Sequence, residues 1–168
     1  TSGAGWPAIP GAPLPDGHLN PLFDYDFGRS FITRDSSGAA SRQPPRLRRI
    51  LPQLVPRLDA DGNEIAGLRS VQLPVPLGTY TGWNVETKGY HAGENCGFVG
   101  GFIPFARAKS EREARGDPRL SLEERYGSHA GFVARVREAV ARELIAGWLL
   151  PDDAARLIAE AEASDVLK

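Results

Sequence analysis

Apolar positions recur with a helical period only in the last third of the chain. Between residues 128 and 146 they come at steps of four, which predicts one amphipathic helix with a single buried stripe. Ser128 stands where a serine caps a helix N-terminus, and Gly147 stands where a glycine ends one. The expected stripe consists of Phe132, Val136, Val140 and Leu144.

Capping signals predict further helices on both sides of this one. Residues 106–115 form a charged helical segment that Gly116 closes. Ser121 and Glu124 have the spacing of a capping box, in which each side chain accepts a hydrogen bond from the other residue's backbone amide. Pro151 suits the first turn of a last helix, which runs to about residue 163. That last helix is expected to bury Leu157, Ile158 and Ala161.

Before the helices, the pattern indicates β structure. Apolar runs over residues 50–58 and 65–68 flank a polar turn over residues 59–64. The turn contains Asp61 followed by Gly62, and both residue types tolerate the positive φ that tight hairpin turns require. We therefore expect a short β-hairpin, whose first strand is kept short or at an edge by its prolines.

The same turn has some features of a calcium-binding loop, because Asp59, Asp61 and Asn63 alternate along it. Such a loop needs a glycine at its sixth position and a bidentate glutamate at its twelfth, and here those positions hold Glu64 and Ser70. The preferred interpretation is a hairpin turn in which the Asp and Asn side chains hydrogen-bond to the nearby backbone.

Residues 1–48 are rich in proline, glycine and serine, which disfavours regular helices and central strands. The segment also carries apolar side chains that require burial, so free disorder is disfavoured as well. We expect an extended arm that lies across a surface, much of which is outside this chain. The apolar side chains of the arm are Trp6, Ile9, Leu14, Leu22, Phe23, Tyr25, Phe27, Phe31 and Ile32.

These elements predict an α+β section in three parts: an extended Pro-rich arm (1–48), a β-hairpin with a glycine- and aromatic-rich loop (49–105), and a helical C-terminal region (106–168). The 168 residues suit one domain, and 41% apolar content supports a modest core. A net charge of −1 with interspersed signs gives no indication of nucleic acid or an anionic membrane as partner. No apolar run approaches the roughly 20 residues of a bilayer span.

Candidate catalytic chemistry is sparse. The nucleophile of an α/β-type serine hydrolase lies in a G-x-S-x-G turn, and no serine here has glycine at both flanking positions; Ser30 and Ser36 each have one. The glycines of residues 89–101 include no G-K-[ST], so a phosphate-binding loop is not expected, and we expect no cofactor. No metal is expected either, on the spacing of the possible ligands. Zinc-site spacing is absent among the soft metal ligands, which are His18, His91, Cys96 and His129.

The chain begins at Thr1 and contains no methionine, from which we expect an excerpt of a longer protein or the product of a cleavage. A threonine freed at an N-terminus can act as a nucleophile with its own amine as base, which would make the chain an N-terminal-threonine hydrolase subunit. The small, flexible residues that follow disfavour this alternative.

Residues 75–84, VPLGTYTGWN, combine aromatic, hydroxyl, glycine and amide groups in one short run. Tyr80, Trp83 and Asn84 are the candidate substrate-binding residues, with aromatic walls and an amide that fixes orientation. The competing interpretation is structural: a glycine-kinked segment locks the chain onto a neighbouring core, and Asn84 satisfies backbone groups. The structural interpretation is preferred.

Four segments together resemble the C-terminal part of a bacterial family of alpha/beta-hydrolase domain-containing proteins: residues 54–56 with 59–67, then 75–84, 101–106 and 116–126, the last followed by 149–154. The resemblance implies an α/β-hydrolase fold that this chain completes, with the nucleophile upstream of it. The implied activity is hydrolysis of an ester or related acyl bond through an acyl-enzyme formed on serine. A periplasmic or secreted location is also implied.

We therefore expect two partners, the N-terminal catalytic part of the same precursor and a small-molecule ester, with the segment from Tyr80 to Asn84 bordering the substrate entrance. The alternative is a self-sufficient binding or scaffold domain without enzymatic activity. The first hypothesis predicts exposed apolar surface, and the second predicts cooperative unfolding without a partner.

Overall fold

A computed structural model describes residues 5–12, 22–32, 38–51, 56–94, 96 and 99–168. The described residues belong to two compact units. The smaller unit contains the described residues between 22 and 51, and the larger unit contains residues 5–12 and those from 56 onward. No helix in the described part of the chain is both long enough and apolar enough to cross a membrane.

The smaller unit is built on an antiparallel pair, β1 (Leu22–Asp26) and β2 (Arg46–Leu51). Carboxylates on β1 face arginines: Asp24 lies 3.1 Å from Arg49, and Asp26 lies 2.7 Å from Arg42. The strand in the arm lies in a two-stranded sheet, so it is an edge strand and not one of the central strands that the prolines disfavour. Its alternating apolar and acidic residues form a strand because a partner rich in arginine lies opposite.

The hairpin predicted over residues 50–68 is largely absent. Ile50 pairs with Phe23 in the smaller unit. Across the predicted turn, a single β-bridge joins Leu58 to Glu64. Residues 52–55 lie outside the described part. The reason lies in Asp59, whose Oδ1 accepts hydrogen bonds from the backbone amides of residues 61 and 63, at 3.0 and 2.9 Å. The predicted side-chain-to-backbone bonding is confirmed, but it closes a compact loop instead of joining two strands.

The larger unit has its own antiparallel pair, β3 (Gly78–Thr81) and β4 (Gly101–Pro104), in which Tyr80 lies opposite Phe102. A Cβ at position 78 would lie 2.5 Å from the carbonyl oxygen of Ile103, so only glycine allows the two strands to approach this closely. Strand pairing therefore explains one glycine of the segment singled out in the sequence.

Four helices follow: α1 (Lys109–Arg115), α2 (Leu122–Tyr126), α3 (His129–Ile145) and α4 (Pro151–Ala163). The bounds of α3 and α4 confirm the prediction, whereas α1 begins after Ala108 and not at residue 106. The late start agrees with the extended backbone of Ala108.

The predicted helix caps are confirmed. The Ser121 hydroxyl accepts a hydrogen bond from the Glu124 amide at 3.2 Å, and the Glu124 carboxylate accepts one from the Ser121 amide at 2.9 Å. The Ser128 hydroxyl accepts one from the amide of Gly131 at 3.2 Å. Local sequence thus determines where these helices begin.

The core of the larger unit lies between α3, α4 and the segment that precedes β3. Phe132, Val136 and Val140 are buried as predicted, but Leu144 is 37% exposed while Ala139 is fully buried. Each step of four residues overshoots a full turn by about 40°, so the fourth member of the stripe has rotated away from the core. The remaining buried members of the core cluster are Val71, Val75, Ala154 and Ala161.

Candidate functional site

The candidate site begins where the chain turns after β3. The Thr81 hydroxyl donates a hydrogen bond to the carbonyl oxygen of Trp83 at 2.5 Å and accepts one from the amide of Gly101 at 3.0 Å. A Cβ at position 101 would lie 2.6 Å from that hydroxyl oxygen, so a side chain at this position would displace it. This arrangement sets the direction in which Trp83 leaves the strand.

Trp83 packs against Trp6, with ring centroids 5.1 Å apart and ring planes inclined by 53°. The indole nitrogen of Trp6 donates to the carbonyl oxygen of Ala12 at 3.3 Å, and Ile9 between them is buried. Residues 5–12 thus place the side chains of Trp6 and Ile9 against other parts of the larger unit. Leu14 lies outside the described residues.

Trp83 and Asn84 line one cavity of about 480 Å³, which is within the size range of small-molecule sites. The side-chain oxygen of Asn84 accepts a hydrogen bond from the Val85 amide at 2.9 Å, and its backbone oxygen accepts one from the Cys96 amide at 2.8 Å. The other lining residues are Pro10, Gly11, Ala12, Thr81, Val85, Glu86, Thr87, Gly93, Gly101, Phe102 and Ile103.

Tyr80 lines a different cavity, of about 180 Å³, between the core of the larger unit and α4. The tyrosine ring is half-buried and packs against Phe102 at 5.1 Å. Burial raises the pKa of the Tyr80 hydroxyl above its ordinary value. The three candidate substrate-binding residues therefore do not share one cavity: Trp83 and Asn84 lie together, and Tyr80 lies apart.

A buried polar pair lies beneath β3 and β4. Arg119 and Asp117 have side chains only 2% and 8% exposed, and they form a two-point ion pair with Nε–Oδ1 at 3.0 Å and Nη2–Oδ2 at 2.7 Å. Burial raises the pKa of the Asp117 carboxyl, but the hydrogen bonds and charge of Arg119 outweigh it, so the pKa is lowered overall. Neither Arg119 nor Asp117 is among the site residues predicted from the sequence.

Arg119 connects the pair to both strands. Its Nη1 donates to the Thr79 hydroxyl at 2.8 Å and to the carbonyl oxygen of Ile103 at 2.9 Å, and Nη2 donates to the carbonyl oxygen of Pro104 at 3.2 Å. Thr79 in turn donates to the backbone oxygen of Asp61. Every guanidinium nitrogen is thus engaged within the protein, which indicates a structural role.

Asn63 fixes the loop of residues 59–63 against β3. Its side chain is fully buried, donates to the carbonyl oxygen of Gly78 at 3.1 Å and accepts from the amide of Tyr80 at 2.8 Å. Two of the residues that suggested a calcium loop, Asp59 and Asn63, are therefore engaged with the backbone, and the third, Asp61, pairs with Arg125. The signal that could have revealed this role is the hydrogen-bonding capacity of an amide next to an Asp-Gly turn.

Further ionic contacts surround the pair. The guanidinium groups of Arg119 and Arg125 lie over the ring of Phe105, with their central carbons 5.1 and 4.0 Å from the ring centroid, and Arg125 pairs with Asp61. Arg112 donates to both carboxylate oxygens of Glu124, at 2.9 and 3.1 Å. This pairing, followed by the Ser121 amide, lowers the pKa of Glu124 to about 2.

The histidines and the cysteine form no metal centre within the described residues, where no three potential ligands lie together. His129 contacts the carbonyl oxygens of Val166 and Glu162 at 2.8 and 3.2 Å, so it joins the start of α3 to the end of the chain. The Cys96 thiol donates to Glu86 at 3.3 Å, and this hydrogen bond raises the pKa of the thiol. Thr1 and His18 lie outside the described residues.

Comparison with known families identifies the family of this chain. A family model described as an alpha/beta hydrolase domain matches residues 32–159, which is more than half of the chain. The chain belongs to the alpha/beta hydrolase domain family. No curated protein and no solved structure matches it. The family membership confirms the resemblance to alpha/beta-hydrolase domain-containing proteins, and the match covers β2 to β4 and most of the helical region.

Proposed function

We propose that this chain is the C-terminal section of an α/β-hydrolase-like enzyme, a serine esterase or acyl hydrolase. The chain completes the catalytic core, whose nucleophile belongs to the N-terminal section of the same precursor. Trp83 and Asn84 border the substrate entrance. The substrate is a small ester, and the acyl group is transferred to the serine before water releases it.

The observation that carries the proposal is that the chain belongs to a hydrolase family but contains no nucleophile motif. The chain belongs to the alpha/beta hydrolase domain family, but none of its serines has the glycines of a nucleophile turn. That turn joins a strand to a helix at the top of the hydrolase sheet, whereas both sheets among the described residues are two-stranded and antiparallel. The chemistry is therefore assigned to another section of the enzyme.

Exposed apolar side chains in each unit support a missing partner. In the smaller unit, Leu22, Ile32 and Ile50 are more than half exposed, and a two-stranded sheet alone is marginally stable in water. In the larger unit, Ile145 at the end of α3 is 88% exposed, with Trp148 nearby in sequence also mostly exposed. Surface of this kind is typical of contacts with other parts of a protein.

The test is co-purification from cells that produce the chain. A tag on the C-terminus is expected to capture a second section that carries G-x-S-x-G, either as a separate fragment or within one precursor. The captured material should hydrolyse p-nitrophenyl acetate, whereas the 168-residue chain alone should not. A chain that unfolds cooperatively alone and captures no such section would favour the non-enzymatic scaffold alternative.

A further inference from the structure

The cavity at Trp83 has mainly apolar walls. Trp83 and Phe102 supply aromatic surface, and Trp83 is held in place by its contact with Trp6. A cavity of about 480 Å³ with such walls fits an apolar group of the size of a phenyl ring or a short alkyl chain. The other apolar side chains of the lining are Pro10, Ala12, Val85 and Ile103.

The polar groups of the lining limit what the ligand can carry. The Thr81 hydroxyl is engaged with the backbone, and the side-chain oxygen of Asn84 accepts from Val85. The amide nitrogen of Asn84 has no partner among the described residues, so it can donate to a carbonyl oxygen. Glu86 is the ionisable residue of the described lining, and its carboxylate accepts a hydrogen bond from the Cys96 thiol at 3.3 Å.

We propose that this cavity selects the uncharged ester and rejects the carboxylate that hydrolysis produces, an inference that rests on the proposed function. The ester places its apolar part against Trp83 and Phe102, and its carbonyl oxygen accepts a hydrogen bond from Asn84. Hydrolysis adds one water across the ester bond and gives an alcohol, a carboxylate and a proton. The new carboxylate is repelled by Glu86, which promotes release of the acid product.

The test compares two probes of equal shape that differ in charge. Phenylacetamide is a neutral analogue that carries the carbonyl group, and phenylacetate is its anionic counterpart. Titration of the 168-residue chain, followed by NMR shifts of the Trp83 indole, is expected to show phenylacetamide binding at least about fivefold more tightly. Equal affinity, preference for phenylacetate, or no saturable binding of either probe would overturn the proposal.

Variants assign the preference to its residues. Glu86→Gln is expected to reduce the ratio of affinities to about one, whereas Glu94→Gln, an exposed carboxylate outside the lining, is expected to leave the ratio unchanged. Asn84→Ala should lower the affinity for phenylacetamide by about fivefold. A ratio that Glu94→Gln changes as much as Glu86→Gln would contradict the role of Glu86.

The result of this binding experiment is independent of the test of the proposed function. Affinities for two probes are measured without any turnover, so they do not depend on a captured catalytic section. If the chain shows the expected preference but captures no hydrolase section, the binding site is correct and the esterase proposal is wrong. If the reconstituted hydrolase is active but its cavity binds both probes equally, the proposed function is correct and this inference is wrong.

Discussion

Arg119 and Asp117 form a two-point ion pair across only two sequence positions, with Nη2–Oδ2 at 2.7 Å and both side chains nearly inaccessible to water. The pair lies where the loop after α1 meets β3 and β4, and Arg119 reaches Thr79 and two backbone oxygens of β4. The geometry of the segment that leads to Trp83 therefore depends on one buried guanidinium.

Loss of Arg119 is expected to destabilise the larger unit strongly. Arg119→Met leaves the Asp117 carboxylate buried without its partner, which costs about 3–5 kcal/mol. Arg119→Lys should also be destabilising, because one ammonium nitrogen cannot reproduce the two parallel N–H···O bonds of the planar guanidinium. Urea unfolding gives the measurement, and Arg135→Met, an exposed arginine, is the control. If Arg119→Met costs no more than the control, the pair does not hold the strands.

The second prediction concerns acid stability. The pKa of Glu124 is lowered to about 2, chiefly by Arg112, so its contribution to stability is fully present above the unfolded value of 4.5 and is lost as the pH falls towards 2. Glu124→Gln should remove this part of the acid sensitivity while retaining a capping residue. The free energy of unfolding is measured from about pH 5 to pH 2.

The exposed Glu138→Gln variant is the matched control for this titration, since its side chain is 56% exposed and pairs with Arg135 instead of Arg112. Its acid profile is expected to follow that of the unmodified chain. Identical profiles for Glu124→Gln and the unmodified chain would show that the Arg112–Glu124 contact does not couple to folding.

The third prediction concerns the contact between Trp6 and Trp83, which lie 5.1 Å apart. A double-mutant cycle with Trp6→Ala and Trp83→Ala should give a coupling free energy of about 0.5–1.5 kcal/mol. Trp148→Ala is the control for loss of an exposed tryptophan. Strict additivity of the two substitutions would mean that residues 5–12 do not stabilise the Trp83 segment.

The fourth prediction tests the corrected core of α3. Val140 is 1% exposed, so Val140→Ala should cost about 2 kcal/mol through lost burial and an unfilled cavity. Leu144→Ala should cost less than about 1 kcal/mol, because the leucine is already partly in water and alanine favours helix. Thermal or urea unfolding distinguishes the two. If Leu144→Ala lowers the free energy of unfolding more than Val140→Ala does, Leu144 is buried as the sequence pattern predicted.

The helical region could be predicted because its signals are local. Ser121, Ser128 and Pro151 mark helix starts by residue type and spacing, and the structure places them there. The stripe failed at Leu144 because a period of four drifts from the true period of about 3.6 over several turns.

The strands and the candidate site were less predictable, because pairing and burial depend on residues distant in sequence. Nothing local indicates that Ile50 pairs with Phe23 and not with residues 65–68. Likewise, the sequence does not reveal that Tyr80 and Trp83 face different cavities, since the turn after Thr81 depends on a contact with Gly101. The role of Arg119 depends on its burial, and a charged residue type predicts exposure to solvent instead.

The most direct test of the central claim is labelling with a fluorophosphonate, which reacts with activated serine nucleophiles. The probe is applied to cell extract that contains the chain and its captured partner, and the labelled peptide is identified by mass spectrometry. The account predicts a labelled serine within a G-x-S-x-G sequence of the partner section and no label on these 168 residues. A label on a serine of this chain would contradict it.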